Sequence, residues 1–195
     1  MRLFIAEKPS LGRAIAEVLG VSANKNGYLE CGEDTVTWCF GHMMEQEDPE
    51  AYDSGLKQWR RESLPIIPVG WKYRLRGDAA DQLTLIGDLL SKAESVVHAG
   101  DPDREGQLLV DEVLEHFKCS RPVQRIWLAS LDERSVKNSL ASLKDNAEYA
   151  PLRDAARARS RADWLIGMNA TRAMTLLNNK KGMAGVFSQG RGQTP

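Results

Sequence analysis

The sequence predicts an α/β protein with a mainly parallel sheet and helices on both faces, followed by the helical beginning of a second domain. Three observations carry this. Short apolar runs alternate with segments whose apolar residues recur every three to four positions, the signature of strand, crossover helix and parallel strand. Glycine or proline punctuates the junctions between them. After residue 150 the chain turns into a long arginine-rich helical stretch, so the expected segments are 1–150 and 151–195. With 195 residues, 42% hydrophobic and 27% charged, 16 Gly and 8 Pro, the composition excludes disordered, collagenous and membrane-spanning classes.

Arg2–Ala6 reads as a short buried strand, stopped by Pro9. Ser10 is the expected cap of a helix whose Leu11, Ala14, Ile15, Val18 and Leu19 share one face before Gly20. Tyr28–Cys31 and residues 35–40 flank the turn-prone Gly32-Glu33-Asp34, as in a hairpin. Residues 48–71 carry Pro49, Pro65 and Pro68 with Trp59 and Trp71 but no sustained period, which predicts an ordered, irregular excursion.

Leu83, Ile86, Leu90 and Ala93 support a helix over 78–93, leading to a strand at Ser95–Ala99 that Gly100 ends. Beyond the acidic loop 101–105, a helix to Phe117 is expected to bury Leu109, Val110, Val113 and Leu114 and to turn Asp111, Glu112 and Glu115 outward. Pro122 leads into a strand over 123–128, and Asp132 is placed to cap a helix that buries Val136, Leu140 and Leu143.

The apolar run at 3–6 is too short for a signal-peptide core or a transmembrane helix, so a cytoplasmic protein with no membrane association is expected. Cys31, Cys39 and Cys119 form no Cys-x-x-Cys pair, so packing roles are expected for them, and His42, His98 and His116 are scattered, so each is expected to be a satisfied or solvated histidine. Charge is unevenly divided. Residues 152–195 hold eight Lys/Arg against Asp154 and Asp163, a net of +6, which leaves 18 basic and 25 acidic residues, or −7, in 1–151. An acidic body with a basic end suits a polyanion at one part and cations at the other.

Ligands of open parallel sheets gather where strands end in loops at their carboxyl edge. Two such loops carry acids here: Glu7-Lys8 after the first strand, and Asp101-Pro102-Asp103-Arg104-Glu105-Gly106 after the strand ending at Ala99. Were those strands neighbours, the four carboxylates would converge, with 101, 103 and 105 on one side of an extended loop. Hard oxygen donors without Cys or His favour Mg²⁺.

The segments Phe4-Ile5-Ala6-Glu7-Lys8-Pro9-Ser10, His98-Ala99-Gly100-Asp101-Pro102-Asp103-Arg104-Glu105-Gly106-Gln107 and Arg161-Ala162-Asp163-Trp164-Leu165-Ile166-Gly167-Met168-Asn169-Ala170-Thr171-Arg172 closely resemble the N-terminal part of type IA DNA topoisomerases of the bacterial topoisomerase III group. The resemblance spans nearly the whole chain. Glu7 with Asp101-x-Asp103-x-Glu105 is similar to the TOPRIM signature, which primases, recombination proteins and some nucleases share. Lys8-Pro9-Ser10 and Arg161-Ala162-Asp163-Trp164 point to the topoisomerase branch.

By that resemblance, Glu7, Asp101, Asp103 and Glu105 hold Mg²⁺, and Glu7 and Lys8 are catalytic, Lys8 neutralising the scissile phosphate. Such enzymes cleave one DNA strand with a tyrosine, pass another strand through the gap and reseal it without ATP. Single-stranded DNA would be met by Trp59, Arg172 and the stretch Ser188-Gln189-Gly190-Arg191-Gly192-Gln193. Arg157, Arg161 and Arg172 share one helical face, as a phosphate-binding stripe would, while Trp38, Trp71, Trp127 and Trp164 read as core aromatics.

The family nucleophile stands in a Tyr-Pro-Arg context, and Tyr28, Tyr52, Tyr73 and Tyr149 do not. The sequence also has Gly192 where the family has valine. The chain is therefore expected to be a monomeric N-terminal fragment of a cytoplasmic, nucleoid-associated enzyme: a TOPRIM domain (1–150) and the truncated start of a helical DNA-binding gate domain (151–195). It would be inactive without the remaining domains. The alternatives are a stand-alone TOPRIM nuclease and a non-catalytic single-strand-binding module.

Overall fold

The computed structural model describes residues 1–190. In chain order the elements are β1 (Arg2–Ala6), α1 (Pro9–Leu19), β2 (Ala23–Lys25), β3 (Tyr28–Cys31), β4 (Asp34–Trp38), β5 (Met44–Gln46), β6 (Tyr73–Leu75), α2 (Ala80–Lys92), β7 (Ser95–Ala99), α3 (Arg104–His116), β8 (Val123–Arg125), α4 (Glu133–Leu140), β9 (Lys144–Asp145) and α5 (Ala150–Lys180). No helix among the described residues is long and apolar enough to cross a membrane.

Among these residues the main sheet has seven strands in the order β2-β3-β4-β1-β7-β8-β9. Its centre is parallel: β1 lies between β4 and β7, with Ile5 opposite Thr37 on one side and His98 on the other, and β8 follows β7. Antiparallel pairs close both edges. The period of two along β1 builds the two faces. Leu3 and Ile5 pack with Leu83, Ile86 and Leu90 of α2 and Val110 and Val113 of α3. Phe4 and Ala6 turn the other way, onto Leu11 and Ile15 of α1 and Val136 of α4. The expected two-faced α/β sheet is present.

Local differences have local causes. Helix α1 begins at Pro9 with Lys8 at the cap position, so Ser10 lies inside its first turn; proline suits that turn because its missing N–H would have no partner there. Asp132 caps α4 as expected, accepting from Ser135 N at 3.0 Å. Strand β8 stops at Arg125, short of the expected 123–128. Asp111 is buried rather than outward-facing, because Gln107 and Asn146 donate to its two oxygens, each at 2.8 Å. Trp127 is 37% exposed and stacks on Tyr149 with ring centroids 5.2 Å apart, so it is no core residue.

The chain forms two compact units: Met1–Met44 with Leu75–Ala156, and Glu45–Arg74 with the remainder from Arg157. The irregular excursion belongs to the second unit. Within that unit the excursion has no period of its own and is ordered by side chains of α5. Trp164 meets Tyr52 and Trp71 edge-on at 6.0 and 5.5 Å and donates to Glu47 O. Asn169 Oδ1 accepts from Ile66 N at 2.6 Å, and its Nδ2 donates to Ile66 O at 2.9 Å.

Candidate functional site

Because β1 and β7 are hydrogen-bonded neighbours running the same way, the loops after Ala6 and Ala99 leave the sheet side by side. Glu7 N donates to Ala99 O at 3.1 Å, and the Glu7 carboxylate reaches across to accept from Asp101 N, with Oε2 at 2.8 Å. Lys8 Nζ stands 2.6 Å from Asp101 Oδ2. Both ends of this pair remain partly exposed, 45% for Lys8 and 32% for Asp101. The hydrogen bond that Lys8 donates to Asp101, with smaller attraction from Asp101, Glu7 and Asp103, raises the proton affinity of Lys8, which therefore stays cationic at neutral pH.

Asp103 is the cap of α3, its Oδ1 accepting from Gly106 N at 2.7 Å. Glu105 lies in the first turn of that helix, 3.7 Å from Arg104. The expected run of 101, 103 and 105 along one side of an extended loop therefore stops at Asp103, because the helix begins at Arg104. Among the described residues no group of three or more His, Cys, Asp or Glu gathers closely enough to hold a metal ion. Each acid is instead committed to a neighbour. The donor chemistry nevertheless fits Mg²⁺: oxygen only, on adjoining loops, around a close approach that no side chain interrupts. That approach is at Gly106, where a Cβ would lie 2.7 Å from Glu7 Oε2.

Behind the loops is a polar network without a sequence signal. Arg125, on β8, is 1% exposed, and its Nε donates to Gln107 Oε1 at 2.8 Å. Its Nη atoms donate to Gly100 O at 2.9 Å and Asp101 O at 2.8 Å. His98 is fully buried; Gly100 N donates to its Nδ1 at 3.2 Å, which assigns the proton to Nε2, 2.9 Å from Gln107 O. Burial, and then the Arg125 charge, push its pKa down to about 3. On the same unit, His42 pairs with Glu112 at 2.9 Å, and that bond raises its pKa. Cys31 and Cys39 are buried and Cys119 half-buried, in keeping with packing roles.

In the second unit, two expected DNA-contacting residues come together. The Arg172 guanidinium lies 5.1 Å from the centre of the half-exposed Trp59 ring. Arg172 itself is 2% exposed, donates to Leu56 O at 2.6 Å and has a lowered pKa, caused by burial. It is a buried support for Trp59 rather than part of an exposed phosphate stripe. Arg161 lies 5.2 Å over Trp71, and its Nε is buried with no hydrogen-bond partner among the described residues, so this arginine too is drawn inward. Ser188, Gln189 and Gly190 are exposed, and Gln189 N donates to Thr171 Oγ1 at 2.8 Å. Arg191, Gly192 and Gln193 lie outside the described residues.

The Toprim domain family matches residues 2–131. Over its full length the chain is 52% identical to DNA topoisomerase 3 of Vibrio cholerae and 49% identical to that of Pasteurella multocida, covering 31% of each. It is 38% identical to DNA topoisomerase 3 of Staphylococcus aureus strain USA300, over 99% of this chain and 27% of that one. The chain thus spans about a third of the length of the curated relatives it matches. In fold it is similar to full-length topoisomerase I from Thermotoga maritima, with a TM-score of 0.61, 16% identity and coverage of 87% of this chain and 25% of that one.

Proposed function

The chain belongs to the Toprim domain family, and on that premise we propose that it is the magnesium-dependent acidic part of a type IA DNA topoisomerase, acting on single-stranded DNA in the cytoplasm. The observation that carries the reading is the joining of Glu7 to the Asp101 loop at adjacent parallel strand ends, with Lys8 beside it.

In this reading Glu7, Asp101, Asp103 and Glu105 are the oxygen donors for Mg²⁺. A bound Mg²⁺ supplies charge neutralisation at phosphate oxygens. Lys8 offers a second, permanent cation to the same phosphate, and its bond to Asp101 orients it. In the same reading Glu7, next to Lys8 in sequence, would hold or release a proton during phosphodiester cleavage. The attacking oxygen would be a tyrosine in the Tyr-Pro-Arg setting, which none of Tyr28, Tyr52, Tyr73 and Tyr149 occupies. Trp59, set by Arg172, and the 188–193 stretch would hold the single strand by stacking and phosphate contacts.

Titration calorimetry tests the metal assignment. Asp103→Asn is expected to lower Mg²⁺ affinity without unfolding the chain, since asparagine also caps helices well. Unchanged Mg²⁺ binding would remove Asp103 from the donor set. With supercoiled plasmid and Mg²⁺, the chain alone is expected neither to change topoisomers nor to form a protein–DNA adduct, because assistance without a positioned nucleophile gives little rate. Metal-dependent nicking without an adduct would favour the nuclease reading.

A further inference from the structure

We propose that Arg125 is a positioning residue of the acidic site: its buried guanidinium holds the 98–101 backbone by the carbonyl oxygens and so sets where the Asp101 carboxylate and the Asp101 N–H stand. The proposal rests on the reading of that site given above.

Arg125 collects an unusual set of acceptors. Nη1 donates to Gly100 O at 2.9 Å, His98 O at 3.3 Å and Ile126 O, and Nη2 donates to Asp101 O at 2.8 Å. Nε donates to Gln107 Oε1 at 2.8 Å, and Gln107 Nε2 donates onward to Asp111 and Asn146, each at 2.8 Å. Among the described residues no carboxylate bonds the guanidinium directly. Buried charges are ordinarily paired with opposite charge; this one is balanced by carbonyl dipoles, three of them from the residues leading into the acids.

The geometry is one that only a planar fork of donors provides, because a lysine ammonium cannot reach the Gln107, Gly100 and Asp101 acceptors together. The loop end that Arg125 grips is also the end that Glu7 grips. Asp101 O is held from one side by Arg125, Asp101 N from the other by Glu7 Oε2 at 2.8 Å, and the Asp101 backbone is fixed at both its peptide groups. Burial lowers the Arg125 pKa to about 10, so the group is still charged at neutral pH.

The test uses Arg125→Lys, which keeps the charge, and Arg125→Met, which keeps the bulk, each in the 195-residue chain well below its melting temperature. Val36→Ala, a core change on the α1 face of the sheet, is the control for lost stability alone. Amide hydrogen exchange followed by NMR is expected to be at least tenfold faster at Asp101 in both Arg125 variants, with β3–β4 amides much less affected. Mg²⁺ affinity by calorimetry is expected to fall about tenfold. Val36→Ala should lower the melting temperature without either change. Parental exchange at Asp101 in both variants, or losses that Val36→Ala reproduces at matched stability, would overturn the proposal. Should Arg125→Met not fold, Arg125→Lys decides alone. If the parent chain binds no Mg²⁺, the metal reading falls, and the Asp101 exchange rate alone decides the role of Arg125.

Discussion

Replacing Gly106 with alanine is expected to damage the acidic site as well as the fold. A Cβ at this position would stand 2.6 Å from both Asp101 N and Asp101 O and 2.7 Å from Glu7 Oε2. The nearest of these is about 0.8 Å inside the 3.4 Å at which ordinary contact begins. The Asp101 backbone cannot retreat freely, because Glu7 holds its N–H and Arg125 its carbonyl. Overpacking of this kind costs roughly 1–3 kcal/mol. Alanine in place of glycine inside a helix recovers up to about 1 kcal/mol. The net destabilisation is then about 0–3 kcal/mol, a fall in melting temperature of no more than about 12 °C for a chain of this size. The Glu7–Asp101 contact, by contrast, has to break or shift, and Mg²⁺ affinity is expected to drop about tenfold, equivalent to about 1.4 kcal/mol. Thermal melts and magnesium calorimetry on the same preparations check both numbers. Parental Mg²⁺ affinity in a folded Gly106→Ala chain would refute the view that this close approach shapes the site.

Gly167→Ala should have the opposite sign. Among the described residues its Cβ would meet only Gln189 O, at 3.4 Å, so the helix gains up to about 1 kcal/mol; a lower melting temperature would count against this. Arg172→Ala is expected to destabilise the second unit by about 1–3 kcal/mol, through loss of the Leu56 bond and the Trp59 contact. It should also change the slope of log DNA affinity against log salt by well under the ~0.7 of a single-strand phosphate contact; a full change would place Arg172 on a phosphate. The neutral, buried His98 should make the protein less stable in mild acid. Unfolded histidine takes up a proton below about pH 6.5. The native group refuses one until about 3, so stability falls across that window by up to about 1.4 kcal/mol per pH unit. His42 works against this trend: its raised pKa adds stability below about 6.5 that is lost as pH rises through its folded value. Urea midpoints at pH 7 and pH 5 should converge in His98→Gln, and a variant that keeps the parental difference would rule His98 out as the cause.

The central parallel strands were legible in the sequence because their information is local. The alternation of Leu3 and Ile5 with Phe4 and Ala6 supplies two buried faces, and such a strand belongs inside a sheet covered on both sides. The helix following each strand carries its own apolar stripe, and the acids fall in the loops between. Those patterns put Glu7, Lys8 and Asp101 in loops at strand carboxyl ends, and the pairing of β1 with β7 brings the two loops together. Local pattern also misleads. Asp101, Asp103 and Glu105 alternate in sequence, yet Asp103 is spent on capping α3, and the alternation ends where the helix begins. Arg172 shares helical spacing with other arginines, yet it is buried against Trp59.

Tertiary structure alone decided the polar interior. His98, Gln107, Asp111, Arg125 and Asn146 are separated by up to 39 residues along their hydrogen bonds, and nothing in the neighbourhood of any one of them announces the others. The same holds for residues 45–74, whose order comes from Trp164 and Asn169 on a helix about a hundred residues away. Periodicity tells a chain which side of an element is dry, because that depends on spacing within the element. Which buried polar group meets which partner depends on how elements are brought together, and a single buried donor left unmatched costs enough to fix that choice.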